Sequence, residues 1–194
     1  GANVGAYTLC LSRLVGAQGT VYSVEPVPST YRQLVATIRG NKLRNVKTTA
    51  AAVSDHVGLS RMHVPRYPSG GQNFYMATIV GPSDESTLRT FTVPTITVDA
   101  LCADVVQFIK CDVEGHEECV IRGAGRTIDR DHPAWMIEVS TPDVIVAMRS
   151  FGYGVYWFDG KILRPQRDSD RTVNSFFLTD EHLGRLRARG MEVM

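Results

Sequence analysis

The chain has 194 residues, 43% hydrophobic and 21% charged, the usage of an ordinary globular domain rather than a disordered, collagen-like or coiled-coil chain. Its 21 Lys+Arg against 20 Asp+Glu leave a net charge of +1, so no bulk field draws it to nucleic acid or an anionic membrane. No apolar run approaches the ~18 residues of a membrane span, and the length fits one domain.

The first elements alternate. Residues 7–15 carry Tyr7, Cys10, Leu11 and Leu14 at helical spacing, ended by Gly16 and Gly19. Residues 20–24 form a short β-branched run that predicts a strand. Pro26 and Pro28 break the chain, and Ser29 is placed to cap a helix with Tyr31, Leu34, Val35 and Ile38 on one face. Gly40-Asn41 stops it, and residues 46–53 read as the next strand. Helix, strand, helix, strand points to an α/β protein with a mostly parallel sheet.

The pattern then loosens. Residues 59–64 predict a strand, 65–71 are turn-rich, and 76–80 and 89–93 predict short strands around Gly81-Pro82-Ser83-Asp84. We read 65–90 as an insertion in a single domain spanning 1–194, since it is too short for its own core. The α/β rhythm resumes with a short helix at 97–101 and an apolar run at 105–109, expected to be a strand covered on both faces. A helical segment follows through Ile121. After Pro133 comes a strand at 134–139, and Thr141-Pro142 opens a helix that buries Val144, Ile145, Met148 and Phe151. Residues 153–158, 161–163 and 173–178 read as closing strands, the first two joined by a tight turn at Asp159-Gly160, before a final helix at 182–189.

The four cysteines, Cys10, Cys102, Cys111 and Cys119, form no C-x-x-C pair. They read as buried free thiols of a reducing, cytoplasmic compartment. His56, His63, His132 and His182 are scattered and read as surface residues.

Three features belong together. Gly1-Ala2-Asn3-Val4-Gly5 is a glycine loop running into a helix, where the backbone can approach a ligand and free N–H groups point at it. Glu25 closes the next strand about 20 residues after Gly5, where a carboxylate can accept both hydroxyls of an adenosine ribose. Further acids stand at later strand ends. Dinucleotide loops want glycine at the positions held here by Asn3 and Ala6. A loop of this kind suits S-adenosylmethionine better, since that cofactor has no phosphate.

Gly1-Ala2-Asn3-Val4-Gly5, Val24-Glu25-Pro26, Ala52-Val53-Ser54-Asp55 and Ile109-Lys110-Cys111-Asp112-Val113-Glu114-Gly115-His116-Glu117 together resemble the ordered motifs of FkbM-type S-adenosylmethionine-dependent methyltransferases. The resemblance runs from Gly1 to about Glu138. It implies a Rossmann-like methyltransferase fold, a seven-stranded sheet with its last strand antiparallel, and methyl transfer to a hydroxyl of a small molecule, sugar or polyketide-like product. It also implies that Gly1, Asn3 and Gly5 line the methionine end of the cofactor, Glu25 the ribose, Ser54 and Asp55 the adenine, and Asp112 the methyl donor. The family's loop follows a central first strand and an aspartate that this sequence does not contain. The expectation is therefore that Gly1 is a cut point and the native chain extends upstream.

Methyl transfer to an alcohol needs alignment and a base. His116 or Asp112 is the candidate base, Glu114 an orienting group, and Lys110 a residue that holds a carboxylate or faces the substrate. Glu138 and Tyr75 are candidate substrate contacts. Against these stand plainer roles: Glu138 as a structural partner of Lys110, His116 as a helix cap, Tyr67, Phe74 and Tyr75 as packing residues, and Glu117 and Glu118 as a charge pair at a helix N-terminus. Asp112, Glu114, His116 and Glu138 are also oxygen-rich enough for magnesium or manganese, but their spacing favours metal-independent transfer. A nicotinamide-dependent oxidoreductase and a non-catalytic, degenerate methyltransferase domain are the competing readings.

Overall fold

A computed structural model describes residues 1–69, 71–79, 89–167, 169–170, 172 and 174–194. Helix α1 (Ala6–Val15) leads to strand β1 (Val21–Val24), and helix α2 (Pro28–Gly40) leads to β2 (Val46–Thr49), which pairs parallel with β1. The run at 46–53, read as one strand, is two. It breaks after Thr49, whose carbonyl takes the Glu25 N–H at 3.1 Å, and resumes as β3 (Ala52–Val53) in a different sheet.

That second sheet has the order β3-β5-β4. Strands β4 (Gly58–Val64) and β5 (Arg89–Ile96) run antiparallel in unbroken register, and β3 joins β5 in parallel. The excursion between β4 and β5 folds back on its own sheet. Phe74, Ala77 and Ile79 pack against Val27, Ala52, Met62 and Val93. Residues 74–76 form a 3-10 turn rather than the start of a strand, and Thr78 forms an isolated bridge with His63. Val80 and the turn at 81–84 lie outside the described residues, as does Val173.

The third sheet begins at β6 (Phe108–Cys111), which pairs parallel with β7 (Ala134–Glu138). Strand β10 (Asn174–Leu178) closes antiparallel on β7, followed by β8 (Gly154–Phe158), β9 (Ile162–Pro165) and β11 (Glu192–Val193). The strand predicted at 105–109 starts three residues later and is not covered on both faces. Val105 is 75% exposed and Phe108 37%, and the Val106 N–H is tied to Asp131 at 2.9 Å before the ladder begins. Helices α3 (Val98–Leu101), α4 (Glu117–Arg122), α5 (Gly125–Asp131), α6 (Pro142–Ser150) and α7 (Asp180–Ala188) complete the chain.

The main core lies between this sheet and α4, α5 and α6. Trp135, Ile137, Phe177, Ile121, Ile128 and Met148 are at most 1% exposed. Cys102 and Cys111 are buried as expected, and burial pushes the Cys111 thiol up to about 12. Cys10 is exposed and Cys119 half-buried, and His63 is buried in β4, against the sequence reading.

Helix α1 departs from its pattern. Its polar edge is the buried one: Thr8 hydrogen-bonds Ser23 at 2.8 Å and Ser12 donates to Asn45 at 2.5 Å. Its apolar stripe is open, with Tyr7 46% and Leu14 76% exposed. Among the described residues β1 pairs only with β2 and β6 only with β7, and Tyr7 reaches across to β6, where the Lys110 ammonium lies 4.9 Å from its ring centre. Helix α2 starts at Pro28 with Val27 as its cap, two residues before the expected cap Ser29. Among the described residues no helix is long and apolar enough to cross a membrane.

These packings predict a contrast by urea denaturation. Phe177→Ala is expected to lose about 3–5 kcal/mol, whereas Leu14→Ala, which the sequence pattern places in the core, is expected to lose under about 0.5 kcal/mol.

Candidate active site

The glycine loop sits on the carboxyl end of β1. The Ala2 N–H donates to the Val24 carbonyl at 2.9 Å, and Gly5 N–H closes a turn on Ala2 O at 3.1 Å. Asn3 and Gly5 both take positive φ, 51° and 97°, which favours glycine and tolerates Asn. A Cβ at Gly5 would also meet Leu34 of α2 at 2.9 Å. The Asn3 N–H is thereby turned onto Glu25 Oε2 at 2.9 Å, while the Val27 N–H donates to Glu25 Oε1 at 3.0 Å. Glu25 is 5% exposed. A carboxylate has about four lone-pair sites, so each oxygen keeps one for a ligand.

Glu25 faces a cavity whose walls include Gly1, Asn3, Asp112, Glu114 and His116, with apolar cover from Val27, Met62 and Phe74. Beside it, a second and more open depression is lined by Glu114, Gly115, Glu117, Glu138, Val139 and Ser140. Glu114 belongs to both. The structure therefore brings Gly1, Asn3, Glu25, Asp112, Glu114 and His116 together. Gly5, Ser54 and Asp55 are not on the cavity wall. Gly5 shapes the loop from behind. Ser54 is fully buried and hydrogen-bonds the His116 ring at 3.0 Å, so His116 is the group that reaches the cavity at that end. Asp55 is engaged with His56 and Arg122 on the outer surface, and these partners hold its carboxyl down at about 2. Tyr75 lies in the 3-10 turn, with its side chain outside the described residues.

Lys110 is tied to Asp112 by an ion pair, with 8% of the Lys110 side chain and 31% of the Asp112 side chain exposed. His116 occupies the N-cap position of α4 but makes no capping bond with its side chain. Burial lowers its pKa, which keeps the ring neutral near pH 7. Burial and the Asp112 charge raise the Glu114 carboxyl. Glu138 is pushed up to about 7 by burial, by the Asp112 charge and by a hydrogen-bonding contact with Asp112. Glu118 pairs with Arg122 at 2.7 Å, but Glu117 is not its surface companion: it is 1% exposed and bonded inward.

The first 155 residues match the family model described as the methyltransferase FkbM domain. The chain belongs to the FkbM methyltransferase family. A crystal structure of methyltransferase FkbM from Methylobacillus flagellatus KT superposes with a TM-score of 0.61 at 16% identity, covering 92% of this chain and 42% of that one. The precorrin-6y C5,15-methyltransferase of Geobacter metallireducens GS-15 gives a TM-score of 0.49 at 14% identity, over 91% of this chain and 74% of that one. No curated protein matches the sequence. The likeness to the first structure extends to the fold alone, and that fold is Rossmann-like.

Within this FkbM domain the sequence reading misses the apolar walls and Glu117. Met62 and Val27 carry no chemical signature, and only the folding back of the β4–β5 excursion brings Phe74, one of the loop aromatics, to the site. Glu117 lies inside the Lys110–Glu117 motif, and a helix-dipole role is the simplest reading of an acid at a helix start.

Raising a carboxyl pKa on folding means that the native state holds its proton more tightly. The stabilisation is present at low pH and is lost as pH rises through about 7 for Glu138. The Glu138→Gln variant is therefore expected to melt higher than the parent at pH 8, with the gap closing by pH 5, in a thermal-melt series over that range.

Proposed function

We propose that this domain binds S-adenosylmethionine in the cavity beside Glu25 and transfers its methyl group to a hydroxyl oxygen of a small molecule held in the adjoining depression. The observation that carries the reading is Glu25: a buried carboxylate fixed by two backbone N–H groups, with lone pairs left toward the cavity. That arrangement suits vicinal ribose hydroxyls. The apolar cover from Val27, Met62 and Phe74 suits an adenine ring, and Asp112 and Glu114, which also line the cavity, suit a positively charged sulfonium.

The nicotinamide alternative fits less well. The loop amides of Asn3, Val4 and Gly5 are spent on Glu25, on the Asn3 side chain and on Ala2 O. None of these three is left for a pyrophosphate.

When bound, the cofactor supplies an electrophilic methyl carbon. The work of the protein is to hold the acceptor oxygen in line with it and to take the acceptor's proton. Asp112 directly follows β6 and Glu138 is the last residue of the adjacent parallel strand β7. We assign proton acceptance to this pair, with Lys110 holding Asp112 in place. Glu114, shared by both cavities, orients the acceptor. His116, bonded to the buried Ser54, serves the cofactor wall in this assignment rather than the acceptor.

Calorimetry with S-adenosylmethionine and with NAD tests the reading. The parent protein is expected to bind the first and not the second. Glu25→Gln is expected to weaken binding by roughly 10-fold or more, the worth of a hydrogen bond to a charged group. Binding of NAD, or full affinity in Glu25→Gln, would overturn it.

A further inference from the structure

Glu117 has a buried carboxylate that the proposed chemistry does not use. Its Oε1 accepts the N–H groups of Val113 and Gly115, both at 3.2 Å, and its Oε2 accepts the Ser140 hydroxyl at 2.5 Å. These donors come from two different loops. Val113 and Gly115 belong to the turn after β6, where Glu114 and Gly115 take positive φ of 52° and 92° in succession. The turn brings the N–H groups of Val113 and Gly115 onto one carboxylate oxygen. Ser140 belongs to the loop after β7.

The β6–β7 ladder ends at the pair Cys111 and Ile137. Asp112 then leaves the sheet, while Glu138, the last residue of β7, stays registered with Asn174 of β10. Two carboxyl groups in contact repel when both are ionised. The Glu117 side chain joins the turn that starts at Asp112 to the loop that follows Glu138.

We propose that Glu117 is a positioning residue, a clasp that fixes the Asp112–His116 turn against the Glu138–Ser140 loop. It sets the spacing of the two walls of the acceptor depression. This role as a catalytic aid rests on the methyltransferase reading above, but the clasp itself is a property of the free protein. Burying a carboxylate is costly unless it is fully hydrogen-bonded. Here every bond it makes is to a segment bordering the site.

The test reads backbone amide exchange by NMR in the ligand-free protein, together with binding of S-adenosylhomocysteine by calorimetry. In Glu117→Ala, exchange at Val113 and Gly115 is expected to speed up at least 10-fold while Ile137, in the ladder, stays protected. Affinity for S-adenosylhomocysteine is expected to fall about 10-fold, since the loosened turn walls the cofactor cavity. Glu117→Gln keeps an acceptor for both N–H groups and can still bond Ser140, so it is expected to restore protection and affinity. Should Glu117→Ala not fold, Ser140→Ala removes one hydroxyl only, and a three-fold or greater acceleration at Gly115 is expected there. Unchanged exchange at Val113 and Gly115, acceleration of Ile137 in parallel, or failure of Glu117→Gln to rescue overturns the clasp. If the parent protein does not bind S-adenosylhomocysteine, the methyltransferase reading fails, and the exchange data still decide the clasp.

Discussion

The site depends on how closely the ends of β1 and β6 approach. Gly1 passes between them: its amino nitrogen lies 3.3 Å from the Val24 carbonyl, and a Cβ on it would sit 1.8 Å from the Asp112 carbonyl oxygen. No side chain fits there. Glu25 directly follows β1 and Asp112 directly follows β6, so this close approach brings both residues to one cavity. The end of β1 offers it a fixed carboxylate with unused lone pairs. The end of β6 offers acids that suit a cation. The fold makes a short gap between two strand ends, and the residues just past those ends make it chemically asymmetric.

Much of this was legible in the sequence because it is local. A glycine loop, a short strand and an acid after it are read along a single stretch of chain, and Gly1, Asn3 and Glu25 indeed line one cavity. The Lys110–Glu117 motif likewise folds locally, as the end of β6, a turn and the start of α4. What the sequence does not carry is which side of an element faces which neighbour. The apolar stripe of α1 has a sound helical period, but the helix buries Thr8 and Ser12 because their hydroxyls find Ser23 and Asn45. The run at 46–53 has strand character throughout, and only its partners show that it divides between two sheets. Ser54 fits an adenine contact by position, yet it lies behind His116, a relation that spans 62 residues of chain.

The electrostatics follow from crowding acids at neighbouring strand ends. Lys110 is the cation that offsets them, and its position is itself constrained, between Asp112 and the face of Tyr7. A single ammonium against Asp112, Glu114 and Glu138 leaves the rim acidic. Holding Glu138 partly protonated near neutrality is one way to relieve that repulsion without a second cation. The proposed transfer to a hydroxyl would ask the same proton exchange of a base, so the group that eases the crowding is also the one assigned that role above.

Two buried glutamates, Glu25 and Glu117, answer the cost of burial in the same way, by accepting backbone N–H groups from turns that take positive φ. Their remaining capacity separates them. Glu25 takes one N–H on each oxygen and lies on the cavity wall, so it can bind a ligand without losing a partner. Glu117 already takes two N–H groups on one oxygen and a hydroxyl on the other, so one site is left where Glu25 keeps two, and three of its bonds hold loops. By that count of donors the first carboxylate is built to receive something, and the second to keep two strand ends in place.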